Sequence, residues 1–225
     1  MRAITALLVV VAAAVPTVVL AQDAFLDAAS HPALSHRHGL ELGLGLMTGV
    51  SAGASTEAGG VSVESDVGGF MGSLTYLYGL DERIQLTVNG GALSVDARVS
   101  ATAGNSSVES STVSMLLFGA RYLFPALGER GNVRPYASVG VGPYVGTVSE
   151  VRAGPTAFVG SRTETAPGVR VGVGLTAGLN SWLTAGIGAG YHFVADFDER
   201  VGADTNYSNP DVMLSLGFRF GATGW

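Results

Sequence analysis

The chain has 225 residues, a formal net charge of −6, no cysteine, and 12 basic residues that are all arginine. The missing cysteine excludes disulfides and zinc–thiolate sites, and the negative charge argues against a nucleic-acid binder. A mean hydropathy of +0.37 is high for a soluble domain, yet no window past the N-terminus has the roughly 18 apolar residues of a spanning helix. Because only helices and closed barrels satisfy every backbone group in lipid, this composition predicts a membrane β-barrel.

The first 21 residues have the pattern of a secretory signal peptide, with Arg2, an apolar run over Leu7–Leu20 and a small-residue cleavage site ending at Ala21. Residues 22–37 are expected to form a periplasmic N-terminal tail, and residues 38–221 the barrel. Histidines cluster around the end of the tail (His31, His36 and His38), but no carboxylate is spaced to complete a metal shell. No metal site is predicted.

Eight segments then alternate apolar with polar or small residues, which predicts strands that have one apolar face. The predicted strands are His38–Val50, Val67–Gly79, Arg83–Ala97, Thr112–Phe124, Arg134–Gly146, Gly168–Asn180, Leu183–Phe193 and Asn209–Gly221. The sixth and seventh form the clearest hairpin, joined at Asn180-Ser181, and each strand is long enough to cross a bilayer. Glycine and threonine on the polar face suit the inside of a narrow barrel. Gly90-Gly91 is predicted to be a β-bulge.

Long polar loops are expected after the first, third, fifth and seventh strands, and short turns after the second, fourth and sixth. Outer-membrane barrels show this asymmetry between outer loops and periplasmic turns. It also gathers aromatic residues into two girdles. The periplasmic girdle contains Tyr76, Tyr78, Tyr122, Phe124, Trp182, Phe218 and Phe220, and the outer one Phe70, Tyr191 and Phe193.

Three phrases carry a family resemblance: LLFGARYLF at Leu116–Phe124, RPYASVGVG at Arg134–Gly142 and LSLGFRF at Leu214–Phe220. Over Gly39–Phe220 the chain resembles the small OmpA-like and OmpX-like outer-membrane barrels of the porin-like superfamily. The resemblance implies an all-β, eight-stranded antiparallel up-and-down barrel in the outer membrane of a Gram-negative cell envelope. It also implies a monomer surrounded by lipid and lipopolysaccharide. The last phrase resembles the C-terminal signal that the barrel assembly machinery recognises, carried here by Leu214, Leu216, Phe218 and Phe220.

In each predicted strand, alternate residues face the inside of the barrel. The charged residues and the histidine at these inward positions predict a lumen network of Glu41, Arg121, Arg170, His192, Asp211 and Arg219. Glu41 and Arg219 are expected to pair across the seam between the first and last strands, with or without Arg121. His192, Arg170 and Asp211 lie near one end and could form a catalytic cluster, but His192 faces the lumen. The stretch Gly172–Ala177 matches a dinucleotide fingerprint, yet it lies inside a strand and lacks the helix that motif requires.

These patterns favour a non-enzymatic outer-membrane protein that supports membrane integrity or makes surface contacts through its loops. One alternative is a narrow porin-like channel for small solutes, although side chains fill the interior of an eight-stranded barrel. Another is an enzyme that modifies lipid A. Neither a catalytic site nor a cofactor is predicted, and the loop composition names no surface ligand.

Overall fold

The computed structural model describes residues 36–53, 56–58, 61–63, 66–102, 105–127, 132–153, 157–202 and 204–221. The predicted signal peptide and residues 22–35 of the predicted tail lie outside this part. The strands are β1 His38–Gly53, β2 Thr56–Ala58, β3 Val61–Val63, β4 Asp66–Gly79, β5 Ile84–Thr102, β6 Asn105–Leu123, β7 Val133–Ala153, β8 Phe158–Gly178, β9 Leu183–Val194 and β10 Pro210–Phe220. No helix in the described ranges is long and apolar enough to span a membrane.

Eight of these strands close into an antiparallel barrel in the order β1-β10-β9-β8-β7-β6-β5-β4, while β2 and β3 form a small separate hairpin. The barrel closes where β10 pairs with β1, from His38↔Phe220 to Met47↔Asp211. Closure leaves no unpaired sheet edge within the barrel itself, as lipid requires. The predicted eight-stranded up-and-down barrel is confirmed.

The two faces of the sheet follow the predicted alternation. Outward residues are large, apolar and exposed, as Leu42, Leu44 and Leu214 show, whereas Met47 and Met71 point inward and are buried. Met115 and Leu117 on β6 are also buried in the lumen. The interior therefore holds charged, hydroxyl and glycine residues towards one end and an apolar cluster towards the other.

Two of the predicted long loops are wrong, because β5, β6, β7 and β8 continue as strands well past the barrel. Residues 158–167 of β8 pair with β7 alone, since β9 ends opposite Gly168. Residues 96–102 of β5 and 106–111 of β6 likewise keep pairing. We call these extensions, with residues 147–153 of β7, the projecting sheet. Most of the outward positions whose side chains are described carry hydroxyls, with Val151 and Val159 as exceptions, and this hid the strand pattern. The hydroxyl residues are Ser110, Thr147, Ser149, Ser161, Thr163 and Thr165.

The predicted bulge at Gly90-Gly91 is also wrong. The register runs straight through both glycines, and the shift in β5 falls instead between Ser94 and Asp96, where the projecting sheet begins. A Cβ at Gly91 would collide with the side chain of Met115. Glycine is needed there for space in the lumen and not for a backbone irregularity.

The opposite end of the barrel, which we call the turn end, has short connections. In the β4–β5 turn, Asp81 Oδ1 accepts hydrogen bonds from the backbone N–H groups of Arg83 and Ile84, each at 2.6 Å. In the β8–β9 turn, Asn180 Oδ1 accepts from Trp182 and Leu183 at 2.9 and 2.7 Å. Both turns are thus fixed by a side chain that mimics a backbone carbonyl. We call the end with the projecting sheet the loop end.

Candidate functional site

The lumen near the turn end is crossed by an ion pair between Glu41 on β1 and Arg121 on β6. Arg121 donates from both terminal nitrogens to the two carboxylate oxygens, each at 2.9 Å. The guanidinium also lies over the ring of Tyr136, 4.3 Å from its centroid. Both partners are largely buried, with 9% of the Arg121 side chain and 13% of the Glu41 side chain exposed. A bidentate pair of this kind is strongly directional.

The predicted pair between Glu41 and Arg219 is not formed. Glu41 lies opposite Gly217 on β10, and Arg219 lies opposite Gly39, one inward position nearer the turn end. The long side chain of Arg121 instead reaches Glu41 from across the narrow lumen. In the described part of the chain, the Arg219 side chain has no ion pair and no hydrogen bond.

Small polar groups occupy the middle of the lumen. Asn89 donates to the hydroxyl of Thr75 at 2.6 Å, and Ser138 to the carbonyl of Gly172 at 3.5 Å. Two cavities lined by these groups measure about 50 and 40 Å³. Such volumes accommodate a few water molecules at most.

Above this zone, four side chains from adjacent strands form a buried group that we call the lumen quartet: Arg170 on β8, His192 on β9, Asp211 on β10 and Tyr144 on β7. Arg170 donates to both Asp211 oxygens, at 3.0 Å from Nε and 2.7 Å from the terminal nitrogen. His192 Nε2 lies 3.0 Å from Asp211 Oδ2, within ion-pair distance but poorly directed for a hydrogen bond. The other imidazole nitrogen is 2.7 Å from the Tyr144 hydroxyl.

The structure thus brings together the three predicted members of this cluster and adds Tyr144. Sequence reasoning missed the tyrosine, although Tyr144 follows Tyr136 and Ser138 on the inward phase of β7. Gly190 makes room for the group, because a Cβ there would collide with the guanidinium of Arg170 and the carboxylate of Asp211. The geometry of hydroxyl, imidazole and carboxylate resembles a nucleophile–base–carboxylate relay. However, His192 and Asp211 side chains are fully buried, and Tyr144 is 2% exposed.

The quartet is covered from the loop end by residues 195–209, between β9 and β10, which were predicted to be a polar loop. Instead Phe197, Val201 and Tyr207 point into the lumen and are fully buried. They pack with inward residues of the barrel, including Met47, Met71, Leu93, Val113 and Tyr144. We call residues 195–209 the plug. In the sequence, the only sign that this segment is buried is the presence of these three large apolar residues among acidic ones.

Several polar contacts hold the plug in place. Tyr207 donates to the carbonyl of Val201, and a bridge between Val201 and Asp204 encloses Gly202, whose φ of 67° suits glycine. From the projecting sheet, Arg162 reaches the carboxylate of Glu199 and the carbonyl of Arg200. The cavity left between plug and barrel is only about 10 Å³.

Comparison with known families agrees with this architecture. The outer membrane protein beta-barrel domain family matches residues 5–220. The chain belongs to this family. It is therefore a protein of the bacterial outer membrane, and the girdle residues that form ring contacts, such as Trp182 on Phe218 and Tyr191 on Phe193, lie on its lipid-facing surface.

No curated protein matches the sequence significantly. Among solved structures, OprG from Pseudomonas aeruginosa is 12% identical, with a TM-score of 0.49, and the match covers 87% of this chain and all of that one. A major outer membrane protein from Thermus thermophilus is 14% identical, with a TM-score of 0.49 and coverage of 83% and 100%. Ail, the attachment invasion locus protein of Yersinia pestis, is 13% identical, with a TM-score of 0.45 and coverage of 83% and 99%. Likeness at this level concerns the barrel fold and not the function.

Other predicted residues have defined places in this family barrel. Leu214, Leu216, Phe218 and Phe220 all lie exposed on the outer face of β10, and their use as an assembly signal remains a prediction. His36 and His38 contact the girdle: their Nδ1 atoms lie 3.3 Å from the Tyr78 hydroxyl and 2.5 Å from the Tyr76 hydroxyl, respectively. No cluster of three or more potential metal ligands is found among the described residues.

Proposed function

We propose that this protein is a non-enzymatic, closed outer-membrane barrel that supports the membrane and presents the projecting sheet for surface contacts. The observation that carries the proposal is the plug. Phe197, Val201 and Tyr207 fill the lumen at the loop end with apolar side chains, so the interior functions as a packed core.

The channel alternative requires a continuous aqueous path. Such a path would have to pass the plug and the buried pair of Glu41 and Arg121. Moving the plug would expose Phe197 and Tyr207 to water, and breaking the ion pair would leave charges in a confined space. Both barriers favour a closed lumen.

The enzyme alternative requires that a substrate reach the lumen quartet. His192 and Asp211 have no exposed side-chain surface, and Tyr144 already bonds to His192. Within the barrel, Asp211 is paired with Arg170 and lies 3.0 Å from His192 Nε2. A structural role, in which the quartet ties four neighbouring strands together, accounts for these contacts.

The projecting sheet supplies the surface for contacts. Its outward face carries hydroxyls and the exposed apolar residues Val151 and Val159, and Phe158 is exposed on the opposite face. In the bilayer the barrel would be a monomer surrounded by lipid and lipopolysaccharide, inserted by the barrel assembly machinery through the last strand.

Planar-bilayer recordings test the closed lumen. The refolded protein should give no stable conductance steps, whereas a variant with residues 197–205 replaced by a glycine–serine linker should give more current. Stable single-channel steps from the unmodified protein would support the channel alternative. Mass spectrometry of lipid A from cells expressing the protein or His192→Ala tests the enzyme alternative, and we expect identical lipid A.

Replacing residues 150–160 of the β7–β8 hairpin with a two-residue Asn-Gly turn tests the surface role and keeps Arg162, which contacts the plug. The variant should still assemble and protect cells against detergent, because the barrel pairing is retained. Attachment of the cells to surfaces should fall. Equal attachment with both proteins would restrict the role to membrane integrity.

A further inference from the structure

The turn-end mouth of the barrel has an unusual concentration of arginine. Arg37, Arg134 and Arg219 occupy inward positions there, on the flank of β1, on β7 and on β10. Arg37, Arg121 and Arg134 all lie near enough to Arg219 for their charges to act on it. Since the whole chain carries a net charge of −6, this positive mouth is a local feature.

Two of the three nearby acids are already engaged, and the third, Glu82, is exposed in the β4–β5 turn. Glu41 is held by both terminal nitrogens of Arg121. Asp81 accepts two backbone hydrogen bonds in its own turn. Within the described residues, the mouth therefore has more positive than available negative charge.

The arginine donors are also largely unused. Arg219 makes no side-chain hydrogen bond or ion pair in the described part of the chain. Arg37 donates to the carbonyl of Ser181 at 3.5 Å, and Arg134 to the carbonyl of Glu82 at 3.0 Å. The Nε atoms of Arg37 and Arg134 are buried without a partner. Buried, unsatisfied donors of like charge are costly unless an anion completes them.

A cavity of about 20 Å³ at the mouth is lined by Arg37, Arg121 and Arg219, by Glu41 in its pair with Arg121, and by Thr176 and Thr184. This volume holds about one oxygen-sized group, so a bound anion would place one oxygen in the cavity and the rest in the mouth. The paired N–H groups of a guanidinium match the spacing of phosphate oxygens. The hydroxyl of Thr176 can donate to a further oxygen, whereas that of Thr184 already donates to the carbonyl of Gly217. We propose that the turn-end mouth is a binding site for a phosphate-class oxyanion, with Arg37 and Arg219 as its direct ligands. Arg134 contributes positive charge from across the mouth.

The phosphate could be free or belong to a glycerophospholipid headgroup, and the two sources share this chemistry. Titration of inorganic phosphate into the refolded chain in non-ionic detergent, followed by ³¹P NMR, tests the site directly. Saturable binding with one phosphate per chain is expected. Arg219→Gln and Arg37→Gln should each weaken it about tenfold or more, since a charge-assisted hydrogen bond is lost.

Arg200→Gln is the matched control, because Arg200 is exposed at the loop end and, among the described residues, only its carbonyl makes a hydrogen bond. Binding should be unchanged. Arg219→Lys keeps the positive charge but lacks the two parallel N–H donors of a guanidinium. It should bind phosphate more weakly than the unmodified chain but better than Arg219→Gln. Each variant is compared only after a heat-modifiable gel shift shows that it has folded.

Dioctanoyl phosphatidylglycerol in the same detergent distinguishes the sources. Tighter binding than inorganic phosphate identifies a lipid headgroup, and equal or weaker binding identifies free phosphate. The proposal is overturned if the unmodified chain shows no saturable binding, or if Arg219→Gln binds as well as it does.

Discussion

Arg121 reaches across the lumen to bind both carboxylate oxygens of Glu41, although their strands β6 and β1 are separated by β5 and β4 in the barrel. Backbone hydrogen bonds join only neighbouring strands. This side-chain pair therefore links two walls that the sheet itself does not connect. It also takes the place of the pair between Glu41 and Arg219 that the sequence suggested.

Removing either Glu41 or Arg121 should leave the other charge unpaired in a confined lumen. Glu41→Gln or Arg121→Met is expected to lower the free energy of unfolding by about 3–5 kcal/mol. A double-mutant cycle in reversible unfolding from lipid vesicles measures the coupling. The matching cycle between Glu41 and Arg219 should give a much smaller coupling. A larger coupling to Arg219 than to Arg121 would show that the carboxylate has the other partner in the membrane.

Leu175 and Val159 lie on the same outward phase of β8, but only Leu175 belongs to the barrel. Leu175→Arg should destabilise the protein by about 2–4 kcal/mol, as expected for an arginine near the bilayer midplane. Val159, which is 78% exposed on the projecting sheet, should accept arginine with almost no loss. Urea unfolding in lipid vesicles gives both values. Equal losses at the two sites would place the projecting sheet in the membrane as well.

Asp81 and Asn180 close two similar turns, one with a charged side chain and one with a neutral side chain. Hydrogen bonds from the backbone of Arg83 and Ile84 lower the pKa of Asp81. Its contribution to stability is therefore present above the unfolded pKa of about 4 and is lost as pH falls through the lower folded pKa. The loss of stability in Asp81→Ala should shrink in acid, whereas that in Asn180→Ala should not depend on pH. Parallel pH profiles for the two variants would contradict this account.

Two tyrosines in the lumen offer a test of the quartet. Tyr144→Phe removes the partner of the His192 ring nitrogen and should cost about 1–3 kcal/mol, the usual penalty for an unsatisfied buried group. Tyr136→Phe keeps the aromatic face under Arg121 and should cost little. Unfolding free energies of the two variants provide the comparison. If Tyr144→Phe is as stable as Tyr136→Phe, the hydrogen bond to His192 contributes nothing to the fold.

Within the bilayer belt, the sequence was sufficient to predict the fold, because alternate residues must face lipid there and large apolar side chains mark that face. Leu40 to Leu46 on β1 and Val169 to Leu175 on β8 show the pattern clearly. Beyond the belt both faces meet water, so the strands around Ser110 and Ser161 lost their apolar marker and resembled loops.

The candidate site was predictable only in part. The alternation of residues along the strands correctly placed Arg170, His192 and Asp211 in the lumen. Their side chains meet because adjacent strands in register bring inward positions together. The partner of Glu41 could not be read from pairing alone, since Arg121 reaches it across the lumen. The plug was missed because Phe197, Val201 and Tyr207 have no periodic spacing, and their burial depends on a fold that the segment adopts only inside the barrel.

The central claim is that the loop end is closed by the plug while the projecting sheet lies exposed outside the cell. Since the chain has no cysteine, single cysteines can be introduced at Val159 and Val201 and treated on intact cells with a membrane-impermeant maleimide. Val159→Cys should react rapidly and Val201→Cys hardly at all, while both should react equally after heating in SDS. Equal reactivity on intact cells would mean that the mouth is open, and protection of Val159→Cys until lysis would mean that the loop end faces the periplasm.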